Sequence, residues 1–165
     1  MKPYSVRSGT PDDIEAIARL IASMGPDALG SPELGLEQRI ERLRGLIEAG
    51  RNVHFVAEAN DEVIGELTLT LNDPGPAELG FSVRPEWRRR GVASALINGA
   101  VAWAQSHELH KLYAQVFPEN QAALAFLERH GFREEGRLKA HVRRASGELR
   151  EVVALGRILA IRSGL

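Results

Sequence analysis

A basic turn between a predicted strand and a predicted helix carries the residues best suited to bind an anion. The turn spans residues 83–93. The first amides of a helix have no partner within the helix and lie at the positive end of its dipole, so they bind anions. Guanidinium groups add charge-assisted hydrogen bonds to phosphate oxygens. The candidate phosphate ligands are Arg88, Arg89, Arg90, Gly91, Val92, Ala93 and Ser94. The alternative is a solvated turn whose glycine only starts the helix.

Two familiar phosphate motifs do not fit this turn. The dinucleotide fingerprint needs Gly-x-Gly-x-x-Gly early in a parallel βαβ unit, and a P-loop ends in Gly-Lys-Ser or Gly-Lys-Thr. The chain also has no cysteine, which excludes a cysteine metal site and a cysteinyl acyl intermediate. No metal site is expected, because the histidines lack metal-ligand spacing, and solvated positions are predicted for His54, His107, His110 and His141.

Two carboxylates, Glu66 and Glu78, lie in predicted strands that are otherwise apolar. A carboxylate in such a strand either lines a cleft or sits on a solvated face. In a cleft it can accept a proton during catalysis. Both residues are therefore candidate general bases, with simple exposure as the alternative for each.

The elements that must position these residues follow from hydrophobic periodicity and turn signals. Predicted strands cover residues 4–7, 53–59, 62–71, 77–83 and 109–117, and two late strands flank Ser146-Gly147. Predicted helices begin at Thr10 and end before Gly25, run from about Glu33 to Glu48, begin near Gly91, and run over residues 120–130.

Composition places the chain among soluble globular proteins. It has 165 residues, of which 44% are hydrophobic and 26% charged, as in one domain of ordinary size covering residues 1–165. The net charge of -1 gives no reason to expect nucleic acid as a partner. Neither a secretory signal nor an apolar run of roughly 20 residues occurs, so we expect a cytoplasmic protein that does not insert into membranes.

Three segments together match one known pattern. Arg88-x-x-Gly91-x-Ala93 is similar to a Gln/Arg-x-x-Gly-x-Gly/Ala signature, and residues 78–83 and 120–132 match the strand before it and a later helix ending in Gly-Phe. They resemble the GNAT superfamily of N-acyltransferases, whose order of elements agrees with nearly the whole chain. The resemblance implies an α/β fold with a mixed, mainly antiparallel sheet flanked by helices on both faces, in which strands 4 and 5 splay apart.

The same resemblance implies a site for coenzyme A. In proteins of this kind the basic turn binds the pyrophosphate, and the pantetheine arm lies between strands 4 and 5 against the backbone of Phe81, Ser82 and Val83. A free strand edge can satisfy an extended, amide-containing ligand as an added strand would. Phe81 and Val83 can also be ordinary core residues, and both roles can hold. Asn120 is expected to touch coenzyme A, although a helix-capping role alone would account for it.

The implied activity is the transfer of an acetyl group from acetyl-coenzyme A to a primary amine, by direct transfer in a ternary complex. The acceptor is either a small molecule or a protein amino terminus, entering beside the loop at residues 25–32 and the turn at Ser146-Gly147. An alkyl amine with a pKa near 10 is mostly protonated at neutral pH, so a base is needed, and a backbone amide within residues 81–83 would stabilise the oxyanion. Homodimers are common among such proteins, but the sequence does not establish one.

One departure concerns the leaving group. Many relatives have a tyrosine four residues before the glycine of Gly-Phe, where this chain has Leu127. Leucine cannot donate a proton, which leaves Tyr113, His130 or water as alternatives and the acid unassigned. Leu127 also supports a rival function, a non-catalytic acyl-coenzyme A-binding or regulatory module. A second rival, a binder of nucleotide phosphates, would prefer ATP or NAD over coenzyme A.

Overall fold

Seven strands form one sheet in the computed structural model, which describes residues 3–25 and 34–160. The strands are β1 Ser5–Ser8, β2 Asn52–Ala59, β3 Glu62–Thr70, β4 Ala77–Val83, β5 Lys111–Val116, β6 Arg133–Arg143 and β7 Leu149–Ile158. Their order across the sheet is β1-β2-β3-β4-β5-β7-β6. Only β4 and β5 run parallel, and the other neighbouring pairs are antiparallel. The predicted mixed, mainly antiparallel sheet is confirmed.

Helices cover both faces of this sheet. They are α1 Ile14–Ser23, α2 Leu36–Glu48, α3 Val92–Ser106 and α4 Gln121–Arg129. Successive residues of a strand point to opposite faces, and β2 separates two hydrophobic clusters accordingly. Phe55 and Ala57 pack in the larger cluster with α3 and α4, whereas Val56 packs in a smaller cluster with α1 and α2. The side of the sheet under α1 and α2 is called the α1/α2 face below.

The predicted element boundaries are close to the observed ones, with two differences. The first helix is preceded by a 3-10 turn over Pro11–Asp13. The second helix begins at Leu36 rather than near Glu33, because Gly35 has an extended backbone with φ -62° and ψ 160°. Glu33 itself lies outside the described residues, and so does the predicted acceptor loop beyond Gly25.

The parallel strands β4 and β5 pair over a short length and then part. Their register joins Ala77 to Leu112 and Glu78 to Tyr113. Further along, β5 keeps its partner β7, and residues 79–83 of β4 have no register partner on the β5 side among the described residues. The predicted splay is thus present, and it leaves one edge of β4 with backbone groups available for hydrogen bonding.

A buried carboxylate fixes the start of α1 against β1. Asp13 accepts hydrogen bonds from the Thr10 amide (2.8 Å) and from two nitrogens of Arg7, Nη1 (2.8 Å) and Nη2 (2.9 Å). The adjoining Gly9 amide donates to the carbonyl of His54 on β2 at 2.7 Å. These bonds hold the start of α1 over the α1/α2 face.

Replacement of Asp13 by asparagine should lower the free energy of unfolding by about 1–3 kcal/mol at pH 7, the usual range for hydrogen bonds to a charged group. Arg7 lowers the pKa of Asp13 in the folded state. The stabilisation is therefore complete above the unfolded pKa of about 3.9, and it is lost as the pH falls through the lower folded pKa.

Denaturant unfolding of both proteins across an acidic pH series measures this difference. The matched control is Glu15→Gln, which removes an exposed ion pair with Arg19 one turn away and should change stability by less than about 0.5 kcal/mol. A difference in the free energy of unfolding between the natural protein and the Asp13→Asn variant that stays constant to the lowest pH would contradict an ionic origin.

Candidate active site

The predicted anion turn connects β4 to α3, and residues 88–91 within it are exposed. A 3-10 turn over Pro85–Trp87 leads to Gly91, which caps α3 in the left-handed conformation with φ +82° and ψ 7°. That conformation costs a residue with a side chain roughly 1–2 kcal/mol. The Gly91 carbonyl accepts the first helical bond, from Ala95, at 3.0 Å. The amides of the first helical turn therefore lack partners within the helix and are suited to an anion.

The three arginines of this turn surround those amides with positive charge. Arg88, Arg89 and Arg90 are all exposed, and none of them is in an ion pair with another described residue. Arg88 donates through Nε to the carbonyl of Val83 at 3.2 Å, which ties the turn to the end of β4. Its Nη2 donates to the sulfur of Met24 at 3.5 Å. The turn thus keeps guanidinium donors for a phosphate-bearing ligand.

Tyr4 supports the turn from below. Its hydroxyl donates to the carbonyl of Arg90 at 3.3 Å, and its ring meets Trp87 edge to face at 6.4 Å between centroids. Trp87 also lies under the Arg90 guanidinium, whose central carbon is 5.2 Å from the Trp87 ring centroid. A Cβ atom on Gly91 would lie 3.3 Å from the Tyr4 hydroxyl oxygen, so the turn has little room to adjust at this position.

The open edge of β4 is built from residues whose side chains serve the core. Val83 is buried, and the Phe81 ring packs against Phe126 of α4 at 5.1 Å between centroids. Ser82 points to the opposite, α1/α2 face, where it neighbours Glu66 on β3. Both interpretations of Phe81 and Val83 therefore fit, since packing uses their side chains and leaves the backbone edge open.

Asn120 lies beyond the open end of the gap between β4 and β5. It caps α4, because its side-chain oxygen accepts the Ala123 amide at 3.2 Å. It also lines a cavity of about 420 Å³ together with Phe117, Glu119 and Arg150. The Arg150 guanidinium lies 4.2 Å from the Phe117 ring centroid and donates to Glu119 at 3.0 Å. This cavity combines an aromatic wall with charged groups.

Glu66 is buried in the sheet beside the open strand edge. It is 2% exposed, and its carboxylate accepts hydrogen bonds from the Thr68 hydroxyl at 2.9 Å and from the Ser82 hydroxyl. Burial raises its pKa to about 7, and the two hydroxyl groups oppose that increase. A carboxyl group with a pKa near neutrality can both accept and release a proton at physiological pH.

Glu78 has a different environment. It is half-buried and accepts a hydrogen bond from the Tyr113 hydroxyl at 3.1 Å. Burial and the neighbouring Glu78 raise the pKa of Tyr113 to about 12, so the phenol stays protonated and donates to this carboxylate. The pair sits where β4 and β5 are still joined, at the closed end of the gap.

The prediction that His54 is solvated is wrong. It is 5% exposed rather than solvated, and its Nδ1 lies 2.8 Å from the Thr68 hydroxyl oxygen. Burial lowers its pKa to about 4, against an opposing effect of Asp13. The other three histidines of that prediction, His107, His110 and His141, are exposed as expected.

Leu127 is fully buried in the core, and His130 ends α4, with Nδ1 2.9 Å from the Phe126 carbonyl. The Ser146-Gly147 turn is exposed between β6 and β7. Within the described ranges, no cluster of three or more metal-ligating side chains is present. No helix in those ranges is long and apolar enough to span a membrane.

A sequence profile of the acetyltransferase (GNAT) family matches residues 16–132, which include the anion turn and the open edge of β4. The chain belongs to this family. The predicted superfamily and the predicted enzyme class, an acyltransferase, are confirmed. Proteins of the GNAT family generally use acetyl-coenzyme A as the acyl donor.

Individual relatives agree with this assignment. An uncharacterised N-acetyltransferase of Methanocaldococcus jannaschii is 27% identical over 152 residues, covering 87% of this chain and 66% of that protein. The L-amino acid N-acetyltransferase AaaT of Escherichia coli is 28% identical over 109 residues, covering 63% and 67%. This chain thus spans about two thirds of either relative. The crystal structure of a ribosomal-protein-alanine N-acetyltransferase from Brucella melitensis superimposes with a TM-score of 0.79 at 23% identity, covering 94% and 99%, and supports the fold.

Replacement of Gly91 by alanine should weaken the binding of coenzyme A about ten-fold or more. The new Cβ atom would strain the left-handed backbone and press on Tyr4, and displaced amides would lose charge-assisted hydrogen bonds. Isothermal titration calorimetry with coenzyme A measures the change.

Gly50→Ala is the matched control, because Gly50 also has a positive φ of +68° but its added Cβ would meet open space far from the turn. It should share the backbone strain and leave coenzyme A affinity unchanged. Equal affinity of the Gly91 variant and the natural protein would remove this turn as the anion site.

Proposed function

We propose that this protein uses acetyl-coenzyme A to acetylate a primary amine, by direct transfer in a ternary complex. One observation carries the proposal: the first turn of α3, the open edge of β4 and the buried carboxylate of Glu66, which pairs with Ser82 of that edge, lie at the same end of the sheet. These three features are what a diphosphate, an amide-containing arm and a protonated amine respectively require.

The donor would bind along the turn and the strand edge. Its diphosphate would lie on the amides of residues 91–94, with Arg88, Arg89 and Arg90 around it. The pantetheine arm carries amide groups that pair with an unpaired strand edge, here the backbone of Phe81, Ser82 and Val83. Asn120, at the open end of the gap, would close the site from the β5 side. The diphosphate and the pantetheine arm, which are adjacent in coenzyme A, would thus lie on two adjacent features of the protein, the anion turn and the open edge of β4.

The acetyl transfer needs one base and one oxyanion donor. The amine nitrogen forms a bond to the thioester carbon, its proton passes to Glu66 directly or through one water, and the carbon–sulfur bond breaks to release the coenzyme A thiolate. A backbone amide of the open β4 edge would stabilise the oxyanion of the tetrahedral intermediate. Glu66 is preferred over Glu78 because it is hydrogen-bonded to Ser82 at this edge, whereas Glu78 sits at the closed end.

The leaving thiolate does not require a side-chain acid in this proposal. Leu127 occupies the position where many relatives have tyrosine, and it is buried among apolar residues. A thiol has a pKa of about 8.5 and leaves tolerably as the anion. The thiolate would then take its proton from water.

The acceptor would occupy the cavity beside Phe117, next to the turn between β6 and β7. Continuation of the parallel register from Ala77 and Leu112 brings Phe117 level with Ser82 across the gap. Arg150 stacks on Phe117 and forms an ion pair with Glu119. A guanidinium group has five N–H donors, so the remaining donors of Arg150 favour a small amine that carries a carboxylate. The Escherichia coli relative named for L-amino acids agrees with that choice.

The test of this function has two stages. Thermal-shift measurements should show stabilisation by acetyl-coenzyme A and none by ATP or NAD at equal concentration. Thiol release should then be measured with an amino acid, its amide, a polyamine and a short peptide. We expect release with at least one amine and the highest rate with the amino acid. Binding without release across the panel would instead favour the non-catalytic module.

Replacement of Glu66 by glutamine should lower kcat by about 10²–10⁴-fold, the usual contribution of a general base. The raised pKa of Glu66, about 7, sets the pH dependence. The base must be ionised, so below about pH 7 the logarithm of kcat/KM should fall more steeply than ionisation of the amine alone requires.

The steeper fall of log(kcat/KM) below about pH 7 should be absent in Glu66→Gln. It should be retained in Glu78→Gln, the matched control at the other candidate strand carboxylate. Rates are compared with one amine throughout, because the amine itself titrates in every variant. A Glu66→Gln variant with the natural rate and the natural pH profile would transfer the role to another group.

A further inference from the structure

A chain of hydrogen bonds connects His54 to the proposed base. His54 on β2 faces Thr68 across the strand pair, and Thr68 is two residues from Glu66 on the same face of β3. The Nδ1 of His54 lies 2.8 Å from the Thr68 hydroxyl oxygen, which lies 2.9 Å from a carboxylate oxygen of Glu66. Both ends of the chain are buried, His54 to 5% and Glu66 to 2% exposure.

The chemistry of the hydroxyl group fixes the direction of this chain. A threonine hydroxyl has one proton to donate, and an ionised carboxylate can only accept. When Glu66 is ionised, the Thr68 proton must therefore point to Glu66. Thr68 can then only accept from the imidazole, so His54 must carry its proton on Nδ1. The direction of donation runs from His54 through Thr68 to Glu66.

The surroundings of His54 agree with a neutral ring protonated on Nδ1. Its low pKa, about 4, leaves the ring uncharged at neutral pH. Its Nε2 is buried and has no hydrogen-bond partner among the described residues. In this tautomer Nε2 is a bare acceptor, so no buried N–H group is left without a partner.

Few other charged or titratable groups affect the hydrogen bonds that connect His54, Thr68 and Glu66. The charge that acts on His54 is Asp13, which is held by Arg7. At Glu66 the effects are burial and the hydroxyls of Thr68 and Ser82. The residues of α1 and α2 that are buried above this face are apolar, apart from Arg39 of α2. Arg39 is not among the groups that shift the pKa of His54 or of Glu66. Glu66 therefore depends on hydroxyl donors for stabilisation of its charge.

We propose that His54 is a positioning residue, whose Nδ1–H directs the Thr68 hydroxyl at Glu66 and so favours the ionised carboxylate that accepts the amine proton. The catalytic part of this inference rests on the proposed function of Glu66, and the hydrogen-bonding part does not. His54 touches neither substrate in this arrangement. Its effect is on the charge state of Glu66 at the pH of the cell.

The decisive comparison is between His54→Leu and His54→Asn. Leucine removes the donor, so the Thr68 hydroxyl loses its fixed direction and the Glu66 pKa should rise by about one unit, as expected for the loss of one hydrogen bond to the charged form. Asparagine restores an N–H donor bonded to Cγ, as Nδ1 of histidine is, and should return the pKa towards the natural value. Both variants should keep the natural KM for acetyl-coenzyme A.

Two readouts separate this inference from the function on which it rests. The first is the pH titration of the Glu66 side-chain carboxyl carbon by ¹³C NMR, without substrate. The second is the position of the break in log(kcat/KM) against pH, which should move upwards by the same amount. If the carboxyl titration shifts but the kinetic break does not, Glu66 is not the base, while the role of His54 towards Glu66 stands.

Variants of Thr68 keep the inference falsifiable even if leucine at position 54 disturbs folding. Thr68→Val should shift the Glu66 titration upwards, and Thr68→Ser, which keeps the hydroxyl, should not. Adding His54→Leu to Thr68→Val should cause no further shift, since His54 acts only through Thr68. An unchanged carboxyl titration in both His54→Leu and Thr68→Val would overturn the proposal, as would a His54→Leu effect that persists in the absence of the Thr68 hydroxyl.

Discussion

The structure depends on the early separation of two parallel strands. β4 and β5 are joined at two residue pairs and then diverge, although backbone groups within a sheet are otherwise almost always paired. Their separation is stabilised from both sides: β5 stays bonded to β7, β4 stays bonded to β3, and the side chains of the open β4 segment pack under α3 and α4. The sheet can therefore keep an unpaired edge in its middle without losing its core.

Placement of the carboxylate in this sheet follows from the same arrangement. Glu66 lies next to the open strand, yet α1 and α2 cover that face, and burial of a charge is costly unless donors compensate. Two hydroxyl groups supply part of that compensation. The result is a group held between its charged and neutral forms near pH 7. A fully hydrated glutamate would be too weak a base for this purpose, and an uncompensated one would remain protonated.

Local sequence patterns were sufficient for the elements and for the position of the turn between β4 and α3. The turn combines arginines, a glycine and a helix start within a few residues, so its chemistry is visible without knowledge of the fold. The environments of Glu66 and His54 depend instead on partners in neighbouring strands. His54 lies opposite Thr68 because of the register between β2 and β3. Both faces of these strands are covered by helices, and the alternation of residues along a strand does not show that both faces are buried. Sequence alone therefore suggested a solvated histidine, and it left two strand carboxylates indistinguishable.

The contact between Tyr4 and the turn joins parts of the chain that lie 86 residues apart in sequence. The phenol holds the Arg90 carbonyl, and its ring supports the indole on which the Arg90 guanidinium rests. A deletion that removes Tyr4, or a fusion that displaces it, would loosen the proposed phosphate-binding turn near the middle of the sequence. The amino-terminal segment thus supports the proposed donor site, and expression designs should leave it intact.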